Sequence, residues 1–301
     1  MSRYVSPHNP TLLLNMDGIS LLNHEIRLDP QDPLTGDSMT PHLTGKLFLP
    51  EHYHYHAILD STNRAAMALA HNGAPEGTLV LADQQTHGRG RYGRVWASPP
   101  GLNLYFSMVL RPAMAACHAS RMTLMTSLAL VETVIAQGIT GVRVKWPNDI
   151  LVQERKLSGI LAEMAADGDR VRFVTIGVGL NVNGTSDLYP PEVAGRAVTL
   201  AELLQKNVAR DEILAEFLLH FERWYRRYHQ EGFTPVRHAW LKFARLEGRQ
   251  VRVVLPADTQ QTTLVGEAVE MDENGFLLLK QENGMVSRVM AGDLTHLHPL
   301  D

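Results

Sequence analysis

Gly88-Arg-Gly-Arg-Tyr-Gly-Arg94, running on into Val95-Trp-Ala-Ser-Pro-Pro-Gly101, is the stretch on which the fold turns. Its first six residues satisfy the Gly-x-Gly-x-x-Gly pattern of dinucleotide-binding folds. That pattern works where it opens a helix and where an acid ~20 residues on takes the ribose. Here two prolines and a glycine follow, which oppose a helix. No Asp or Glu occurs between Gln84 and Val131. The doubly wound reading fails on both counts.

What remains is an anion-binding loop. Glycines let backbone approach a ligand closely, and alternating arginines supply forked donors for phosphate or carboxylate. The acid-free window is 48 residues long and carries Arg89, Arg91, Arg94, Arg111 and Arg121, so it stands at +5 inside a chain of net charge −4.

The whole chain sets bounds. Its 301 residues suggest about two domains at roughly 150 each. With 45% hydrophobic and 20% charged residues it is a globular sequence, neither disordered nor fibrous. The acidic balance argues against DNA or a polyanionic surface as a general partner. The single Cys117 excludes an internal disulfide framework and a cysteine zinc cluster, and a buried or semi-buried structural place is expected for it. The longest apolar run, Leu124 to Ala136, is broken by Thr126, Ser127, Glu132 and Thr133 and falls short of the ~18 residues of a membrane span. Thr11-Leu-Leu-Leu14 is too short for a secretion signal. A cytoplasmic protein is expected.

Residues 1–50 hold six of the sixteen prolines and read as an extension with little regular structure. Ile19 to Leu22 and Leu47 to Leu49 could form edge strands there. From Ser61, a plausible N-cap, helices are expected at Thr62 to His71, Ala119 to Gln137, Thr199 to Gln205, Asp211 to Gln230 and Val236 to Leu246. Strands are expected at Thr78 to Ala82, Leu102 to Leu110, Val142 to Val144, Ile150 to Val152, Ser158 to Ala165 and Arg172 to Val182. After Gly248 come short strands at Val251 to Leu255, Thr263 to Met271, Phe276 to Lys280 and Val286 to Met290, parted by turns such as Pro256-Ala-Asp and Glu273-Asn-Gly. Their spacing suggests a small barrel. The expected division is therefore 1–50, an extension; 51–246, the main domain; and 247–301, the barrel.

Two further clusters stand beside the arginine loop. Lys145-Trp-Pro-Asn-Asp149 sets a cation, an aromatic and an Asn-Asp pair at a strand end, and Lys156-Leu-Ser-Gly-Ile-Leu-Ala-Glu163 puts a lysine and a glycine ahead of a strand. Either alone could be ordinary turn chemistry. Together with the loop they suggest a site that collects negative charge.

These motifs, with Asp60-Ser-Thr-Asn63, Gln85, Ser98-Pro99, Gly101-Leu-Asn-Leu-Tyr-Phe-Ser107 and Gly177-Val-Gly-Leu-Asn-Val182, resemble the biotin protein ligases in order and spacing. The resemblance covers about residues 57 to 300. It implies an α+β fold: a mixed β-sheet with helices, related to class II aminoacyl-tRNA synthetases, followed by a small SH3-like β-barrel. It further implies an ATP-dependent ligase that makes biotinyl-5′-AMP with Mg2+, then biotinylates a lysine of a biotin carboxyl carrier protein. Arg89, Lys156 and Asp149 would be catalytic. Ser61, Thr62, Asn63, Gln85, Gly88, Arg89, Gly90, Arg91, Lys156 and Gly159 would hold biotin. Arg89, Arg91, Arg94, Lys145, Asn148 and Asn181 would face ATP, Asn181 at the adenine.

Departures from the family pattern are Tyr92, where some relatives carry a further arginine, and Ser158, where Gly or Ala is usual. The proline-rich start cannot supply the winged helix-turn-helix of bifunctional members, so no DNA or membrane partner is expected, and a monomer or weak homodimer is. Two rivals stay open: lipoate ligation, and a regulator that senses biotin. His52-Tyr-His-Tyr-His56 places three histidines at alternate positions. With no carboxylate or cysteine to complete a metal set, an exposed strand start is the expectation, and no metal site is assigned.

Overall fold

A computed structural model describes residues 13–15, 18–20, 33–255 and 262–297. Most of the expected N-terminal extension, the question of a helix-turn-helix before residue 33, and the turn at Pro256-Ala-Asp lie outside the described residues. Of the extension, β1 (Leu13–Asn15) pairs antiparallel with β2 (Gly18–Ser20). The one-turn helix α1 (Gly36–Met39) follows. Leu47 to Leu49 forms no strand. Instead the Lys46 and Leu47 amides donate to the Glu222 carboxylate at 2.8 and 3.1 Å, and Phe48 is buried against Phe221.

The central sheet has seven strands: β3 (Tyr53–Leu59), β4 (Leu79–Gln85), β5 (Leu104–Leu110), β6 (Arg143–Lys145), β7 (Asp149–Val152), β8 (Arg155–Asp167) and β9 (Arg170–Leu180). They lie in the order β3-β4-β5-β9-β8-β7-β6. Only β3 and β4 run parallel, because α2 (Thr62–His71) crosses between them, and every other neighbour is antiparallel. Central β5 is buried at every position, as a strand covered on both faces must be.

On one face α2 packs Ala66 and Ala70 against Val80, Val109 and Phe173. On the other lies α3 (Ser120–Ala136), beneath α6 (Arg210–Glu231) and α7 (Thr234–Ala244). With the turn before it, residues 116–136 are long and apolar enough to cross a membrane by length and composition. Here the helix is a core element, buried without a break from Met122 to Val131. The polar residues expected to interrupt it bond back to their own helix, Thr126 to Met122 O at 2.7 Å and Thr133 to Ala129 O at 2.8 Å. Cys117 proves exposed, contrary to expectation, since it sits on the short turn that leads into α3.

Two minor helices, α4 (Pro191–Ala194) and α5 (Leu200–Leu204), follow the central sheet. The C-terminal sheet comprises β10 (Arg249–Val254), β11 (Thr263–Met271), β12 (Leu277–Lys280), β13 (Val286–Val289) and β14 (Asp293–His296). It is antiparallel throughout, in the order β13-β12-β11-β10-β14, consistent with the expected small barrel. β14 was not foreseen. Its Leu294, with Val251, Val253 and Leu277, is buried in the same hydrophobic cluster as the central sheet.

Candidate active site

The arginine loop is a tight hairpin. Trp96 N donates to Gly88 O at 2.9 Å and Gly90 N to Arg94 O at 2.7 Å. Its tip holds Tyr92 and Gly93 at φ of +56° and +73°. Gly88 is required by contact, since a Cβ there would lie 2.4 Å from Trp96 O.

One cleft collects the motifs. Ser61, Thr62, Asn63, Gln85, Arg89, Gly90, Arg91, Arg94, Asn148, Asp149, Lys156 and Gly159 line it together. Its floor is bare backbone of β8 and β9 at Gly159, Gly177 and Gly179, and the Trp96 indole lies on Gly159 and Gly179. A Cβ at Gly179 would stand 2.3 Å from the Trp96 ring, and one at Gly159 2.8 Å from it. Four cations and two carboxylates line the cleft, so its net charge is positive.

One end is neutral and polar. Gln85 Oε1 accepts from Thr62 N at 2.9 Å, and Gln85 Nε2 donates to Ser98 Oγ at 3.1 Å. Ser61 occupies the N-cap position of α2 but makes no capping bond. Ser61 Oγ and Asn63 Oδ1 are buried and have no hydrogen-bond partner among the described residues. Buried polar atoms are rarely left so, and in a cleft they mark where a ligand bonds.

The other end is cationic, and each cation is held by a carboxylate. Arg89 grips Glu163 with two 2.8 Å bonds. Lys156 Nζ lies 2.7 Å from Asp149 Oδ1 and 5.2 Å from the Trp96 ring centre. Arg94 pairs with Asp293, and Arg91 lies 3.6 Å from the same carboxylate. Arg91 also donates to Asn148 Oδ1 at 3.1 Å and to Gly292 O at 3.2 Å. Asn148 in turn ties the β6–β7 turn to β8, donating to Ile160 O at 2.9 Å.

Three expected residues do not line the cleft. Gly88 packs against the Trp96 backbone and Ser98 in the hairpin itself. Lys145 pairs in register with Asp149, and burial pushes its ammonium below the ordinary lysine range, with Asp149 opposing and Lys156 adding to the shift. Asn181 is 4% exposed, and its side-chain amide donates to Val198 O at 3.1 Å and Lys156 O at 3.3 Å. It braces the chain behind Lys156.

Several residues of the site, Gly177 of the floor among them, escaped the sequence reading as functional. Trp96, Gly179 and Glu163 stood inside quoted motifs with no role given. Asp293 reaches the loop from a strand almost two hundred positions away, and nothing in its local sequence marks it. His54 and His56 of β3, and His52 just before it, do not line the cleft. Among the described residues no group of three or more His, Cys, Asp or Glu side chains could hold a metal ion.

Comparison with known proteins agrees with this geometry. The biotin/lipoate A/B protein ligase family matches residues 55–181. The bifunctional ligase/repressor BirA of Bacillus subtilis (strain 168) is 39% identical over 244 residues, which are 81% of this chain and 74% of that protein. The biotin–[acetyl-CoA-carboxylase] ligase of Paracoccus denitrificans is 34% identical over 231 residues, 76% of this chain and 94% of that one. Among solved structures, the biotin protein ligase from Aquifex aeolicus in complex with biotin and ATP superposes with a TM-score of 0.68 at 28% identity, covering 82% of this chain and 99% of that one. The chain belongs to the biotin protein ligases, within the biotin/lipoate A/B protein ligase family.

Proposed function

We propose that the protein joins biotin to ATP as biotinyl-5′-AMP, releasing pyrophosphate, and then transfers biotin to a lysine of a biotin carboxyl carrier protein such as that of acetyl-CoA carboxylase. The observation that carries this reading is the polarity of the cleft. A neutral, hydrogen-bonding end with two unpartnered buried oxygens leads to an end with four cations. A ureido ring suits the first end, and a carboxylate meeting an α-phosphate suits the second.

The first step brings two anions together. A carboxylate is ionised at neutral pH, so attack on the α-phosphate needs no base. The barrier is lowered by positioning and by fixed positive charge where negative charge develops. We assign Lys156 and Arg91 to the point where carboxylate and α-phosphate meet, and the more exposed Arg94 to the outer phosphates. Arg89 is committed to Glu163, so its share is to hold the loop against β8. In the second step the carrier lysine's neutral amine attacks the acyl carbonyl of the mixed anhydride, the amide bond forms as AMP leaves, and Asp149 is the carboxylate assigned to orient that amine and take its proton. Asp149 also fits the oxygen preference of Mg2+. With no multi-acid cluster among the described residues, the ion would be held chiefly by the triphosphate, whose charge it screens.

The test incubates the full chain with ATP, magnesium, labelled biotin and a carrier domain. Label on one carrier lysine, with pyrophosphate released, is expected. Failure to adenylate biotin overturns the reading. Thermal shift with biotin against lipoate separates the nearest rival.

A further inference from the structure

Among the described residues, Glu163 is the carboxylate that joins both ends of the site. Its Oε2 accepts from Asn63 Nδ2 at 2.6 Å, and the same carboxylate takes both Arg89 bonds. A carboxylate only accepts, so it dictates which way the Asn63 amide faces. With Nδ2 spent on Glu163, Oδ1 lies over Gly177, where a Cβ would come within 2.7 Å of it. Gly177 is part of the cleft floor, and Asn63 is 3% exposed. The cleft therefore presents a pure acceptor at this point.

We propose that Glu163 is a positioning residue: by locking the Asn63 amide it turns Oδ1 toward the ligand, so the site selects a ring bearing an N–H donor, as a cyclic urea does. This rests on the biotin reading above. Without Glu163 the amide can flip and offer Nδ2, which cannot pair with a ligand N–H. A site built around one required donor discriminates strongly against ligands lacking it, because its own buried polar atom is then left unpaired.

The experiment measures biotin binding to the full chain by calorimetry without ATP, and then KM for biotin and for ATP. Glu163→Leu should weaken biotin about tenfold or more and, because it also releases Arg89 and its loop, raise KM for ATP by a smaller factor. Glu163→Gln should stay within about threefold, since the glutamine oxygen still accepts from Asn63. Asn63→Asp sets two carboxylates face to face and should lose affinity. Adding Glu163→Gln to it should restore most of the loss, because the glutamine amide donates to the new aspartate. Glu163→Leu binding within about twofold of wild type would overturn the proposal, as would Glu163→Gln falling with Glu163→Leu or an unrescued double variant. Should Glu163→Leu fail to fold, the Asn63→Asp rescue still decides. A wild-type chain that binds no biotin sinks the functional reading itself, whereas wild-type binding with unresponsive variants sinks only the Glu163 assignment.

Discussion

Lys156 Nζ stands 2.7 Å from Asp149 Oδ1, so a single ion pair joins the lysine motif on β8 to the Lys145-Trp-Pro-Asn-Asp149 turn. The contact follows from the antiparallel register, which sets Asp149 opposite Gly159 and Leu151 opposite Lys156. Lys156→Ala should cut biotin-dependent pyrophosphate release about 100-fold or more, the usual cost of deleting one charge-stabilising donor. Asp149→Asn should cost about tenfold through misplacement of the ammonium, with a further loss in transfer to the carrier. Rapid-quench measurement of the two half-reactions separates these effects.

The Trp96 ring rests on Gly179 with no room between them. Gly179→Ala should therefore displace the indole and weaken biotin binding about tenfold or more, with only a small change in melting temperature. Titration with biotin, followed by tryptophan fluorescence, reads both the affinity and the displaced ring.

Asp293 anchors the loop through Arg94 and Arg91. Removing it in Asp293→Ala should loosen residues 91–94 and raise the rate of tryptic cleavage after Arg91 or Arg94 by about tenfold, because such cutting tracks local opening. Unchanged cleavage would show that Asn148 and Gly292 suffice to hold the loop.

His296 on β14 has its proton affinity pushed below the ordinary value of 6.5, by burial first and then by Arg143, Lys145 and Arg249. Between the lowered value and 6.5 the unfolded chain binds more protons than the folded one. Stability should thus be full above pH 6.5 and fall as pH drops through that window. His54 on β3, lowered by burial and by His56 and His52, acts in the same direction. Urea titrations at a series of pH values should show the slope shallower in His296→Gln.

Trp240 on α7 is fully buried, and its indole N–H donates to Ser127 Oγ of α3 at 3.0 Å. Trp240→Ala should destabilise the fold by about 3–5 kcal/mol, the range for emptying a buried aromatic site. Ser127→Ala should cost about 1–3 kcal/mol, since it leaves the buried Trp240 N–H without an acceptor. Chemical denaturation of both variants checks the ratio.

Elements whose cause is local were legible. The Ala-rich run after Ser61 made α2 readable to the residue, and the turn signals that part the C-terminal strands made β11 so. Strand ends set by a partner were missed: β4 runs on past Ala82 to Gln85, because β3 beside it continues to Leu59. Cys117 was misplaced for a related reason. Its type favours the interior, but the turn before α3 carries it outward.

By itself the amino-acid sequence determined what chemistry the chain carries. The loop that cannot open a helix, the +5 window and the three cationic motifs depend only on residue type and spacing. Tertiary structure alone decided how those charges are used. It gave Glu163 to Arg89 and Asn63, Asp293 to Arg91 and Arg94, and carbonyl oxygens behind Lys156 to Asn181. Each of these partnerships spans between 25 and 202 positions. Such contacts are set by sheet register and by the docking of the C-terminal strands, and no local pattern of residues encodes them.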